Sequence, residues 1–333
     1  MRKHIYCLFI FSLSLLSNMN SCSSPTNPPK TKPQENDTGW TQIRSDINVA
    51  ALNTDSTVWA CGPNLTGQLG IGSLEAKYDL IQIPRLSGVI SIDLYGGMAV
   101  AADRESHIWF WGENLYRPAY TPTQVVSPIT ISHLSNVKQL NICGDYVHLL
   151  RADGTVWRFT PNYDMPTEFV NPEMLSGLTN ISSISQTLAL KFDGTLCEII
   201  HTEPENGGLV PNINGVIAIQ NVWNRRTLIL KNDGTVWAWG QNGIGQLGNG
   251  TYDDSDTPVK VINISDVIKI SAKLDYNLAL KGDGTAWYWG FEKIVGEHTH
   301  IGINSPTKIE NLEGVVLIDA SSACYFVKND GRV

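Results

Sequence analysis

Apolar residues in this chain come in short runs with a period of two, and an Asp-Gly pair or a close substitute interrupts them at regular intervals. LILK, a turn and TVWAWG fill Leu228 to Gly240, and LALK, a turn and TAWYWG fill Leu278 to Gly290. Two such runs flanking Asp-Gly predict a β-hairpin. The turn recurs at Asp55, Glu105, Asp153, Asp193, Asp233, Asp283 and Asp330, in steps of 50, 48, 40, 40, 50 and 47 residues. Seven copies therefore cover Trp40 to Val333, and a period of 40 to 50 residues is that of a repeat architecture.

In VWAW, Val236 and Ala238 point to one face of the strand and Trp237 and Trp239 to the other, yet both sets are apolar. A sheet that is apolar on both faces must be covered on both. Stacking each small sheet between its neighbours meets that condition, and 40 to 50 residues supply four strands per blade. Val216–Ile219, Val267–Ile270 and Val315–Ile318 provide the first strand, and TPVKVI after Asp256 provides the outer one. The expected fold is an all-β, seven-bladed β-propeller. Its blades around Asp153 and Asp193 should be irregular at the outer edge, and its last copy stops at NDGRV. Eight of the ten tryptophans, Trp59, Trp109, Trp111, Trp157, Trp237, Trp239, Trp287 and Trp289, recur in the post-turn strand and are expected in the core.

Gly243, Gly245 and Gly248 spell GxGxxG just after a strand, as a dinucleotide-binding loop would. Such a loop must open a helix, whose N-terminus binds the pyrophosphate. NGTYDDSDTP follows instead, and NLTGQLGIG at Asn64–Gly72 repeats the pattern at the same place relative to its strand. The glycines are read as turn residues, and no cofactor is expected.

The stretch LKNDGTVWAWGQNGIGQLGNG from Leu230, the matching VWACGPNLTGQLGIG from Val58 and ICG at Ile142–Gly144 resemble the regulator of chromosome condensation repeat family. The resemblance implies a seven-bladed propeller that serves as a binding platform and not as an enzyme. The family's founder is a nucleotide-exchange factor that acts through loop insertions, and no comparable insertion occurs here. Where the family places a His before the second strand, this chain has Asn48, Tyr146, Gln186, Arg226 and Tyr276.

The N-terminus adds a destination. Arg2, Lys3 and His4 precede the apolar stretch Ile5–Leu16, which is too short for a membrane span of about 20 residues. Cys22 and a Ser/Pro/Asn-rich run follow. The arrangement resembles a bacterial lipoprotein signal, although Met19 and Asn20 depart from its usual Leu and small residue. It implies a signal peptide over residues 1–21, lipid attachment at Cys22, a flexible tether over 22–39 and a propeller over 40–333. Localisation would then be the cell envelope, on the outer membrane in a Gram-negative cell. The remaining Cys61, Cys143, Cys197 and Cys324 are widely spaced and read as buried free thiols.

A net charge of −8 with no basic run argues against nucleic acid as a partner. No GxSxG or GK[ST] motif is present. His298 and His300 form an HxH pair without a third ligand, Asp253, Asp254 and Asp256 read as a solvated turn, and no metal is expected. Turns between the first two strands of each copy should line one rim, with Tyr95, Asp145, Tyr146, Trp223, Arg225, Arg226, Asp275 and Tyr276 as the candidate binding residues. The expected function is a non-catalytic envelope platform for a protein or glycan. An exported enzyme acting on polysaccharide or peptide and a secreted inhibitor of an envelope enzyme, such as a β-lactamase, are the alternatives.

Overall fold

A computed structural model describes residues 7–8, 39–113, 124–144, 146–159, 172–199, 208–211, 213–222, 226–273, 275–295, 299–320 and 324–330. All regular structure among them is β, and the sheets follow the repeat. After a two-residue strand β1 (Cys7–Leu8), blade 1 is β2 (Trp40–Ser45), β3 (Val49–Asn53), β4 (Val58–Gly62) and β5 (Lys77–Gln82). Blade 2 is β6 (Val89–Tyr95), β7 (Met98–Asp103), β8 (His107–Glu113) and β9 (Gln124–His133). Blade 3 is β10 (Val137–Cys143), β11 (Tyr146–Arg151), β12 (Val156–Phe159) and the two-residue β13 (Glu173–Met174). Blade 4 has, among the described residues, three strands, β14 (Ile181–Ser185), β15 (Leu188–Lys191) and β16 (Leu196–Glu198), with a bridge between Cys197 and Leu209 at its outer edge. Blade 5 is β17 (Val216–Val222), β18 (Arg226–Lys231), β19 (Val236–Gly240) and β20 (Ser255–Lys260). Blade 6 is β21 (Val267–Lys273), β22 (Tyr276–Lys281), β23 (Ala286–Val295) and β24 (Thr299–Lys308).

Among the described residues the seventh copy forms a hairpin, β25 (Val315–Ala320) and β26 (Cys324–Lys328), joined on its outer side by the distant β1. The expectation of seven blades is corrected accordingly: six blades are built from consecutive strands, and the last copy adds two. Both short copies are irregular at the outer edge, as the loss of GQLG around Asp153 and Asp193 led one to expect.

The double-sided apolar strands explain the packing. Ala50 and Leu52 of β3 pack with Ile92, Ala99 and Trp111 of blade 2, while Val49 and Ala51 of the same strand pack with Tyr325 and Val327 of β26. Each further junction has its own cluster, such as Leu228, Val236 and Leu247 against Val267, Ala279 and Trp289 between blades 5 and 6. Leu278 and Leu280 with Ala320 and Phe326 join blade 6 to the hairpin. The core is thus a set of apolar seams between neighbours, arranged in a circle. First strands touch one another all the way round, and β25 touches β2 to close the ring.

All seven first strands carry a β-bulge two residues in, for example between Val89 and Ser91 and between Val267 and Lys269. A bulge strengthens local twist and re-aims side chains. It also fixes the positions that line the axis in the same register in every copy.

Only two of the eight expected core tryptophans, Trp111 and Trp289, are fully buried. Trp59, Trp109, Trp157, Trp237, Trp239 and Trp287 are partly exposed. The reason is chemical. In four copies the first indole donates Nε1–H to the turn threonine, as Trp237 does to Thr235 Oγ1 at 3.1 Å, and the threonine in turn donates to the turn aspartate, Thr235 Oγ1 to Asp233 Oδ1 at 2.6 Å. These hydrogen bonds hold the exposed carboxyls of Asp153, Asp193, Asp233 and Asp283 below their usual range. In blade 2, Asp103 takes the role, accepting from Trp109 Nε1 at 2.8 Å, and Glu105 does not. Burial pushes Asp103 up, but hydrogen bonds from Trp109 and His107 outweigh it and leave the carboxyl low.

The two GQLG segments turn out to be latches between blades. Gly245 N–H donates to Asn242 O and Gly248 N–H to Gly245 O, two successive turns with no helix. Asn242 Oδ1 accepts from Leu247 N at 2.8 Å, and Gln246 O accepts from Trp289 Nε1 of the next blade at 3.0 Å and from Asn277 Nδ2 at 2.7 Å. The copy in blade 1 repeats this with Asn64, Leu69, Gln68 and Trp111. Gly248 has φ +64°, and a Cβ there would lie 2.7 Å from Trp289 Nε1, so glycine is required twice over.

Candidate functional site

An opening of about 410 Å³ runs along the axis, lined by residues of all seven first strands. Its wall is built by one rule. The residue just after the bulge accepts a backbone N–H from the next copy: Gln42 from Ile92 at 3.2 Å, Ser91 from Leu140 at 3.1 Å and Gln139 from Ile184 at 3.1 Å. Two residues on, a second layer repeats the pattern, with Asp93 accepting from Ile142 at 2.7 Å, Ser185 from Asn221 at 3.0 Å and Ser271 from Ala320 at 2.9 Å. Asn141 does the same for Gln186. At the closure, Asp319 Oδ2 accepts the Ser45 hydroxyl at 2.6 Å, joining residues 274 apart in sequence.

Charges gather in this opening. Arg44 Nε lies 3.4 Å from Asp93 Oδ1, and Lys273 Nζ lies 3.6 Å from Asp46 Oδ1. Burial raises the Asp93 carboxyl, although Arg44 opposes it. Burial also pushes Asp319 up, to about 6, with Arg44 and the Ser45 hydroxyl acting against it and Asp93 adding to it. Lys269 is lowered, first by burial and then by the positive charge of Arg44. Cys143 sits behind Asp93, and burial raises its thiol to about 12, which makes it inert as a nucleophile. Cys61, Cys143, Cys197 and Cys324 are buried and are not joined in disulfides.

The rim residues expected from sequence divide into three sets. Tyr95 stands at the mouth of the opening with Lys273 Nζ 5.7 Å from its ring centre, so blades 1, 2 and 6 meet there. Tyr146 is partly exposed, stacked on His148 and covered by Arg158 at 4.9 Å, and Asp275 is partly exposed. Arg226 and Tyr276 are buried: Arg226 Nη2 donates to Tyr276 O at 2.6 Å, which fastens blade 5 to blade 6. Burial raises the Tyr276 hydroxyl to about 12. These two are junction residues and offer little surface to a partner. Asp145, Trp223 and Arg225 lie outside the described residues, as do Cys22 and His298, and nothing is described of the His300 side chain. Among the described residues no three His, Cys, Asp or Glu side chains cluster as metal ligands.

Sequence reasoning missed Arg44, Asp93, Gln220, Lys269, Lys273 and Asp319. A signal was present: all but Lys269 and Lys273 stand four residues after the apolar residue that opens the first strand, Trp40, Val89, Val216 and Val315. Aligning the copies on that residue would have shown a polar ring.

The regulator of chromosome condensation (RCC1) repeat family matches residues 233–280. The mouse E3 ubiquitin-protein ligase HERC2 is 31% identical over 318 residues, which is 87% of this chain but only 6% of that relative's length. Yeast RCC1 (Prp20) bound to Kap60 superimposes with a TM-score of 0.65 at 18% identity, covering 85% of this chain and 79% of the other. Prp20p from Saccharomyces cerevisiae, in a structure concerned with its binding to Gsp1p and histones, gives 0.65 at 18% identity, covering 84% and 80%. The repeat, its turn chemistry and the shared propeller agree: the chain carries a regulator of chromosome condensation (RCC1) repeat, is homologous to RCC1-type proteins and folds as an all-β propeller of that type.

Proposed function

We propose that this protein is a non-catalytic binding platform, held on the cell envelope through a lipid at Cys22, which presents the propeller rim around Tyr95 to a protein or glycan. The observation that carries the reading is the convergence of blades 1, 2 and 6 on one mouth, where Lys273 meets both Asp46 and the Tyr95 ring. Tyrosine is enriched among the residues that carry most of the binding energy at interfaces. A yeast propeller of the same fold, solved in complex with Kap60, offers a precedent for a protein partner. The HERC2 match spans too little of that ligase for its activity to transfer. Charged Arg2 and Lys3, the apolar Ile5–Leu16 and the placement of Cys22 support export and anchoring. Cleavage before Cys22 would remove β1 and leave β26 as the edge of the seven-copy ring.

A second reading, an exported hydrolase, draws support from Asp93 and Asp319, two carboxyls with raised pKa values in one opening. It ranks below the first because Asp93 is engaged by Ile142 N–H, Asn141 and Arg44, and Asp319 by Ser45. Crosslinking in intact cells, followed by identification of what co-purifies, decides between them. Tyr95→Ala or Trp223→Ala should remove the captured partner while palmitate labelling persists. Capture unchanged in both variants would refute the platform, and hydrolysis of envelope polysaccharide or peptide that disappears in Asp319→Asn would favour the enzyme.

A further inference from the structure

The two-layer rule along the axis gives most polar wall residues a structural job, so the exceptions stand out. Lys269 follows the bulge where Gln42, Ser91 and Gln139 accept a neighbour's N–H, but an ammonium can only donate. Gln220 occupies the layer of Asp93, Asn141 and Ser185, and its amide makes no side-chain hydrogen bond among the described residues. Arg44, in the same layer of blade 1, projects toward Asp93 and does not accept from blade 2. These three side chains all border the opening.

We propose that the axial opening binds a small monocarboxylate, held between the Lys269 ammonium and the Arg44 guanidinium with the Gln220 amide as a further donor. Lys273 has Asp46, Arg44 has Asp93, and Asp319 has the Ser45 hydroxyl. Lys269 has no carboxylate within ion-pair distance among the described residues, and the charge it faces is that of Arg44. Two like charges flanking an opening are the arrangement that an oxyanion neutralises, and a guanidinium donates two parallel hydrogen bonds to a carboxylate. The ligand carries one negative charge because a dianion would face Asp93 and Asp319 at close range. An opening of about 410 Å³ suits a molecule of the size of an acidic sugar or the last residues of a peptide. The site lies below the rim and stands or falls independently of any macromolecular partner there.

Calorimetric titration of the purified protein with glucuronate and with N-acetyl-trialanine, each beside its neutral counterpart (glucose and the trialanine amide), tests the proposal and separates an acidic sugar from a chain end. At least one carboxylate should bind saturably in the millimolar range or better, about tenfold more tightly than its neutral twin. Lys269→Gln should weaken it about tenfold with an unchanged melting curve, Lys269→Arg should retain it, and Gln220→Ala should weaken it less. The proposal fails if neither carboxylate saturates, if the neutral compounds bind equally, if folded Lys269→Gln keeps full affinity, or if inorganic phosphate binds more tightly than both.

Discussion

The junction between blades 5 and 6 and the junction between blades 3 and 4 solve the same problem at opposite radii. Between blades 5 and 6 the lock is on the outside: Gln246 O holds the Trp289 indole, Asn304 O accepts Gly250 N–H, and Arg226 reaches Tyr276 O. Near the axis, Ala218 and Gln220 contribute no bond to β21. Between blades 3 and 4 the sequence has no GQLG segment, and the side-chain bonds among the described residues lie on the inside. Gln139 binds both the N–H and the C=O of Ile184, Asn141 accepts from Gln186 N–H, and His148 Nδ1 lies 3.1 Å from Gln186 O. The junction between blades 1 and 2 has both devices, with Gln68 O holding the Trp111 indole outside and Gln42 bound to Ile92 N–H and Ile90 O inside, so the difference teaches that a degenerate repeat keeps its place on the inner bonds alone once the GQLG segment is gone.

The largest expected effect falls on the outer lock. Trp289→Ala removes a fully buried side chain and its bond to Gln246 O, and should lower unfolding free energy by about 3–5 kcal/mol in a denaturant titration. Trp237→Ala, at a partly exposed side chain, should cost only about 1–2 kcal/mol, and equal losses would erase the distinction between the two tryptophan sets. Gly248→Ala, strained at positive φ and pressed on Trp289, should cost about 2–4 kcal/mol. Gly243→Ala, with open space at its Cβ, should stay within about 0.5 kcal/mol of wild type.

Two smaller effects probe the inner lock. Asp319 is raised above its unfolded value, so the folded state holds its proton more tightly and its contribution is fully present below about pH 4. Stability should fall by up to about 2–3 kcal/mol as pH rises from 4 through 6, and Asp319→Asn should remove that part of the slope. The exposed turn aspartates, with lowered pKa values, act in the opposite sense and remain in the variant, so the difference between the two pH profiles isolates Asp319. Gln139→Ala, which leaves the Ile184 N–H and C=O without their partner, should cost about 1–2 kcal/mol and increase hydrogen exchange in β14. Exchange unchanged there would mean that the inner ladder does not carry the short blades.

The fold was legible because its signals are local. Period-two runs around Asp-Gly at 233 and 283 fix hairpins, and the apolar faces on both sides of VWAW fix stacking. The position of Gly248 after the strand, followed by polar turn residues, excluded a helix. The blade count was less legible, since a turn at Asp330 does not reveal that only β25 and β26 accompany it. The site was hardly legible at all. Whether Arg226 meets solvent or Tyr276 O, and whether Asp93 serves a neighbour's N–H, depends on residues about 50 positions away. Rim tyrosines were selected by residue type, whereas the axial side chains become visible only when the copies are superposed and the exceptions to a shared bonding rule are sought.

The central claim is a closed ring whose first and last copies are bonded through Ser45 and Asp319. A double-mutant cycle of Ser45→Ala and Asp319→Ala, measured by equilibrium unfolding at pH 7, should give a coupling of about 1–2 kcal/mol. Strictly additive effects would show that the two residues do not meet and would contradict the closure.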